Sequence, residues 1–167
     1  KEIKSTRKVS SIINICREIG QMPGNFINPE SLAEICQSFE SEYPIKATVL
    51  DEKELKKIGA TAITSVGKGS KSKAKLIILE YNPPQTKKDD PVAIVGKAIT
   101  FDSGGYSIKT VDSLKAMKFD KMGGLIVLGT LLAASYLKIP QKLVGVICAA
   151  ENLISDDAYR PDDIIST

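Results

Sequence analysis

The chain has 167 residues, 43% of them hydrophobic and 26% charged, with a formal net charge of +3; it is long enough for one domain with a sizeable core and too short for two ordinary ones. Aromatic content is 5% and the lysines are scattered, apart from "GKGSKSKAK", so the basic, aromatic-interleaved surface of a nucleic-acid binder is not expected. Histidine is absent, which excludes Ser-His-Asp and Cys-His catalysis and every His-based zinc motif.

In chain order, Val9, Ile12, Ile13, Cys16 and Ile19 recur at helical spacing and predict an amphipathic helix over 5–19. "GQMPGNFINPE" is a turn-rich connector. Asn28 then caps a second helix with Pro29 at its first position, and Leu32, Ile35, Cys36 and Phe39 form its inner face. "IKATVLD" points Ile45, Ala47 and Val49 inward as a half-buried strand. Asp51 caps a short helix that Gly59 stops. "KLIILEY" (75–81), "VAIVGK" (92–97) and "KLVGVICAA" (142–150) are apolar runs with the pattern of strands buried on both faces, and 82–91 is an exposed loop.

From Met122 to Leu137 the chain is apolar nearly all round, too long for a strand, and Pro140 lies just beyond; it is predicted to be a buried helix. No run is expected to reach the roughly 18 apolar residues of a membrane span, and no signal-peptide core opens the chain, so no membrane partner is expected. Cys16, Cys36 and Cys148 lack metal-ligand spacing and are expected to be reduced core thiols of a cytoplasmic protein. The expected fold class is α/β, a three-layer α/β/α arrangement with a mixed, largely parallel sheet.

The chemistry is concentrated after the 92–97 strand: Lys97, Asp102, Lys109, Asp112, Lys115, Lys118 and Asp120 lie in "VGKAITFDSGGYSIK" and the residues that follow. A lysine at the end of a buried strand needs a partner or must lose its proton. Ordinary readings exist for each residue. Lys97 can reach water along its stem, Asp102 can serve the turn before the Gly pair, and Asp120 can cap a helix. The Gly-rich turn also suggests a phosphate cradle, but it has neither glycine spacing used for nucleotides.

As a string, "VGKAITFDSGGYSIK" followed by "AMKFDKMGG" closely resembles the leucine aminopeptidase (cytosol aminopeptidase) family of dinuclear metallopeptidases. Its typical stretch is V-G-K-G-[IL]-T-F-D-S-G-G-[IY]-S-I-K, then M-K-x-D. "VLDEKELKKIGATAITSVGKGS" upstream and "AAENLISDDAYRPDDIIST" downstream resemble the same family. The resemblance implies a zinc-exopeptidase-like fold and two divalent ions, Zn²⁺ or Mn²⁺. It implies that Lys97, as a neutral amine, Asp102, bridging both ions, and Asp120 are metal ligands. It further implies that Lys109 is a protonated catalytic residue that binds the scissile carbonyl, and that Met117 lines the pocket for the first side chain. Peptides with Leu-like N-termini are the implied substrates, and a cytoplasmic homo-hexamer the implied assembly.

Ala98 stands where the family usually has Gly, and Asp162 replaces the Gly of its [YN]-[RK]-P-G-D turn. The family's next motif, N-T-D-A-E-G-R, is not in these residues; the resemblance assigns to it two further metal-ligating carboxylates and an Arg that holds a bicarbonate base. Residues 1–167 are therefore expected to form the N-terminal half of a catalytic domain, without the family's N-terminal domain or the remaining half. An alternative is a non-catalytic folded fragment or decayed paralogue acting as an interaction scaffold.

Overall fold

The structure, a computed structural model, describes residues 2–85 and 90–166; part of the loop expected over 82–91 lies outside the described residues. The helices are α1 (Glu2–Gln21), α2 (Pro29–Ser38), α3 (Glu52–Lys57), α4 (Thr61–Val66), α5 (Val111–Leu114) and α6 (Met122–Leu137). The strands are β1 (Lys46–Leu50), β2 (Lys75–Tyr81), β3 (Val92–Asp102) and β4 (Leu143–Asn152).

Local signals account for most boundaries. Asn28 Oδ1 accepts from Ser31 N at 3.0 Å while Asn28 N donates to Ser31 Oγ at 3.0 Å, a reciprocal cap that starts α2 at Pro29. Asp51 Oδ1 accepts from Lys53 N and Glu54 N and starts α3, and Gly59, at φ +75°, ends that segment. Lys138 closes α6 in the left-handed region.

The sheet order is β1-β2-β4-β3. It is mixed, as expected, and helices cover both faces. On one side α6 lies across β3 and β4, α1 packs on α6, and α2 covers β1 and β2. Leu125, Leu128, Leu131 and Leu132 of α6 are fully buried there with Ile77, Leu79 and Ile147, each such side chain contributing about 1.5–3 kcal/mol. On the other side Leu55 of α3 and Ile63 of α4 meet Leu76, Ala150 and Ile99.

Two expectations about the strands need correction. The sheet is not largely parallel: β1–β2 and β2–β4 are antiparallel, and only β3–β4 is parallel. A parallel return needs a connection that runs back the length of the strand. The six-residue α3 and α4, about 9 Å each, do not supply it, whereas the 16-residue α6 does so between β3 and β4. Nor is the β3 run buried on both faces, because Val95 is 69% exposed; the short α3 and α4 leave the β3 end of their face open, whereas the β2 and β4 runs hold no exposed residue.

The membrane expectation is also corrected in part. Met117–Leu137 is long and apolar enough, by length and composition, to cross a membrane. Its position explains the apolarity differently: α6 is sandwiched between the sheet and α1, as the core helix of an α/β layer. Cys16 and Cys36 are buried free thiols and Cys148 is half-buried. Burial pushes all three thiols up, Cys36 to about 12, which leaves them unreactive.

Candidate metal centre

The strand carrying Lys97 does not stop there. β3 continues to Asp102, and its register against β4 shifts between Ile99 and Asp102. A shift of this kind re-aims side chains at the end of a strand. Asp102 thereby comes level with Asn152, the last residue of β4, and the chain turns through Gly104 and Gly105, both at positive φ.

The turn before α6 is drawn against the same strand. Ile99 N donates to the carbonyl of Asp120 at 3.1 Å. A Cβ on Gly96 would lie 2.4 Å from the Gly123 carbonyl oxygen, and one on Gly123 would lie 2.9 Å from that of Lys97. Only glycines permit this close approach of the α6 N-terminus to β3, and it delivers Asp120 to Lys97.

Lys97 Nζ is 2.6 Å from Asp120 Oδ2. The lysine side chain is 59% exposed and the aspartate 23%. Asp120 does not cap α6, whose start has no side-chain cap. Its Oδ2 is buried and receives no well-directed hydrogen bond. An acceptor left in that state, with an amine beside it, suits a cation ligand.

Asp102 and Lys109 make a second pair, with Lys109 Nζ 2.8 Å from Asp102 Oδ2. Asp102 Oδ1 accepts from Asn152 Nδ2 at 2.7 Å and from Gly104 N at 3.0 Å. Burial alone would push the Asp102 carboxyl up, but Lys109, Asn152 and Gly104 together outweigh it and hold the group below the usual carboxylate range. Lys109 Nζ also reaches Met117 Sδ at 3.0 Å. Met117 opens the short turn Met117–Phe119 that leads to Asp120, so the contacts run from Asp102 through Lys109 and Met117 to Asp120 and Lys97. A cavity of about 570 Å³ borders Gly104, Gly105 and Asn152, and another of about 620 Å³ lies between Asn28, Asp51 and Arg160; neither is lined by any of these five residues.

The donor set fits a divalent ion. Two carboxylates and one amine, with no thiolate, suit Zn²⁺ or Mn²⁺. Among the described residues there is no group of three His, Cys, Asp or Glu placed to hold a metal, so Lys97 is needed to bring the candidate ligands to three.

Three features went unread in the sequence. Asn152 holds Asp102, although nothing in "AAENL" marks it as more than a strand end. Lys121 is fully buried beside Asp120 and donates to the carbonyls of Met22, 2.8 Å, and Lys118, 2.6 Å, tying the end of α1 to the turn that carries Asp120. Burial, with the Lys118 charge, pushes its ammonium down to about 8. Glu151 is buried with Ser70 Oγ at 2.6 Å and in contact with Arg160, whose Nε is 3.0 Å from Asp163 Oδ2. That network pins the "AYRPDD" turn, where Asp162, standing in the place of the family's glycine, takes the left-handed conformation, φ 72°.

The cytosol aminopeptidase family, catalytic domain, matches residues 14–167. The chain belongs to the cytosol aminopeptidase family. It is similar to a probable cytosol aminopeptidase of Aquifex aeolicus (strain VF5), 43% identical over 152 residues, which cover 91% of this chain and 31% of the relative. Leucyl aminopeptidase from Trypanosoma brucei, solved in complex with actinonin, superposes with a TM-score of 0.86 at 32% identity, covering 96% of this chain and 31% of that one. Bottromycin maturation enzyme BotP, solved in complex with Mn, gives 0.81 at 30% identity, covering 93% of this chain and 33% of that one. The chain spans about a third of the length of the curated relatives it matches.

Proposed function

We propose that the intact protein is a cytoplasmic aminopeptidase that removes N-terminal residues, Leu-like ones preferred, from peptides by two-metal hydrolysis, and that residues 1–167 are the N-terminal half of its catalytic domain. The observation that carries this reading is the pairing of Lys97 with Asp120 and Lys109 with Asp102, two lysine–carboxylate contacts joined through Met117. Lys97, Asp102 and Asp120 would hold the metal, with Asp102 the ligand shared between two ions. Two bound divalent ions supply an acidified water and polarise the substrate carbonyl.

Lys109 has the complementary task. Its side chain is 30% exposed, half-sheltered and free to turn from Asp102 toward substrate, so its ammonium can donate to the oxygen on which negative charge develops. Met117, which touches the Lys109 ammonium, is proposed to border the pocket for the first side chain. The two lysines thus divide the work, Lys97 to the metal as an amine and Lys109 to the substrate as an ammonium. Bicarbonate as a base and a homo-hexameric assembly are proposed for the intact protein on family membership.

The test is metal content. In the intact protein, Asp102→Ala should remove bound Mn²⁺ or Zn²⁺ and abolish release of Leu from Leu-p-nitroanilide; retention of two ions per subunit overturns the assignment.

A further inference from the structure

We infer that Asn152 is a positioning residue for the metal centre: its side-chain amide holds the Asp102 carboxylate in the orientation that a bound cation requires. This inference rests on the proposed role of Asp102 as a metal ligand.

An ionised carboxylate offers acceptors only, so the amide atom 2.7 Å from Asp102 Oδ1 is Nδ2, the donor. Oδ1 takes a second hydrogen bond from Gly104 N at 3.0 Å. Two donors on one oxygen, one from the neighbouring strand and one from the carboxylate's own turn, fix the plane of the group and turn Oδ2 outward, where Lys109 Nζ now meets it at 2.8 Å. Gly104 alone would leave the carboxylate free to swing with its own turn. Asn152 anchors it to a second element.

Asn152 is itself immobilised. Its carbonyl accepts from Ser103 N at 2.9 Å and Ser103 Oγ at 2.8 Å. Its Oδ1 stands 3.1 Å from where a Cβ on Gly105 would be, so the Gly pair leaves room for the amide. The residue type matters as well. A lysine or arginine could also donate to Asp102 but would bring a positive charge against the incoming cation, whereas a neutral amide orients the ligand without competing for it. Hydrogen-bond partners of this kind set the geometry of a metal ligand, and losing one typically costs about 10–100-fold in metal affinity.

The experiment measures Mn²⁺ binding by calorimetry in the intact protein for wild type, N152L and N152A, together with the Mn²⁺ EPR spectrum and the melting temperature of the metal-free forms. Asn152→Leu keeps a γ-branched side chain of similar size and the backbone bonds to Ser103 while deleting the donor and adding no charge beside Asp102. Both variants are expected to bind Mn²⁺ about 10–100-fold more weakly, with an altered EPR line shape and, for N152L, a metal-free melting temperature close to wild type. Wild-type affinity and spectrum in either folded variant overturn the inference. Failure of the wild type itself to bind Mn²⁺ defeats the proposed function instead. A crystal structure of the Mn²⁺-loaded wild type covers the case in which neither variant folds: Asn152 Nδ2 within about 3.2 Å of the Asp102 carboxylate supports the role, and a side chain turned away overturns it.

Discussion

The ammonium of Lys97 lies 2.6 Å from Oδ2 of Asp120, across the gap between β3 and the turn that opens α6. The lysine is more than half exposed, so the pair adds little to stability, about 0–1 kcal/mol. Its value lies in chemistry. Asp120→Asn in the intact protein is therefore expected to change the unfolding free energy by no more than that amount while weakening Mn²⁺ binding at least tenfold. A loss of stability with unchanged metal affinity would make Asp120 a structural residue.

Lys109 is expected to act on the transition state. Lys109→Ala should leave metal content intact and lower kcat by about 10²–10³, the usual effect of losing one oxyanion donor. Stopped-assay kinetics with Leu-p-nitroanilide check this. A raised KM with kcat unchanged would mean that the ammonium only binds substrate.

The close approach of α6 to β3 makes its own prediction. A Cβ on Gly96 meets the Gly123 carbonyl at 2.4 Å and Val127 Cγ2 at 2.7 Å. Backbone cannot yield as a flexible side chain does, so Gly96→Ala should cost about 1–3 kcal/mol or more. Gly59→Ala is the comparison: its Cβ would meet nothing within 4 Å, and only the left-handed backbone opposes it, at about 1–2 kcal/mol. Thermal unfolding should also show Gly96→Ala impairing metal binding, because Asp120 moves with the helix start, and Gly59→Ala leaving it unchanged.

Burial pushes the Glu151 carboxyl above the usual range, with Asp163 adding to the rise and Ser70 and Arg160 opposing it. A carboxyl raised in the folded state favours folding most below its unfolded value, and that advantage is lost as pH rises through the folded value. The stability of wild type relative to Glu151→Gln should therefore fall as pH goes from below the ordinary carboxylate range to neutrality. Urea unfolding of both proteins across that range checks the sign, and a pH-independent difference refutes it.

Residues 1–167 alone offer three candidate ligands and, among the described residues, no cluster of three carboxylates, thiols or imidazoles. One ion could be held weakly, and a second would have Asp102 alone. The isolated 167-residue chain is expected to hydrolyse Leu-p-nitroanilide no faster than buffer with millimolar Mn²⁺. Turnover in the ordinary enzymatic range, about 1–10³ s⁻¹, would show that this set of ligands suffices.

What could be read without the structure was local or carried by one string. Asn28 and Asp51 announce their helices because a cap acts within three residues. The apolar runs announce β2, β3, β4 and α6 because burial selects composition. The stretch from Lys97 to Asp120 announced the family through residue types and spacing, and the structure pairs Lys97 with Asp120 and Lys109 with Asp102. Strand direction was not legible in the same way: it depends on whether a connector can run back along the sheet, and α3 and α4 are individually too short. The partners of the site were decided by the tertiary structure alone. Asn152 meets Asp102 across fifty residues because β3 and β4 pair in parallel with a register shift at their ends, and Lys121 reaches Met22 only because α1 packs beside the start of α6. Neither contact leaves a local signal, because a hydrogen bond between distant residues constrains the two together and marks neither by itself.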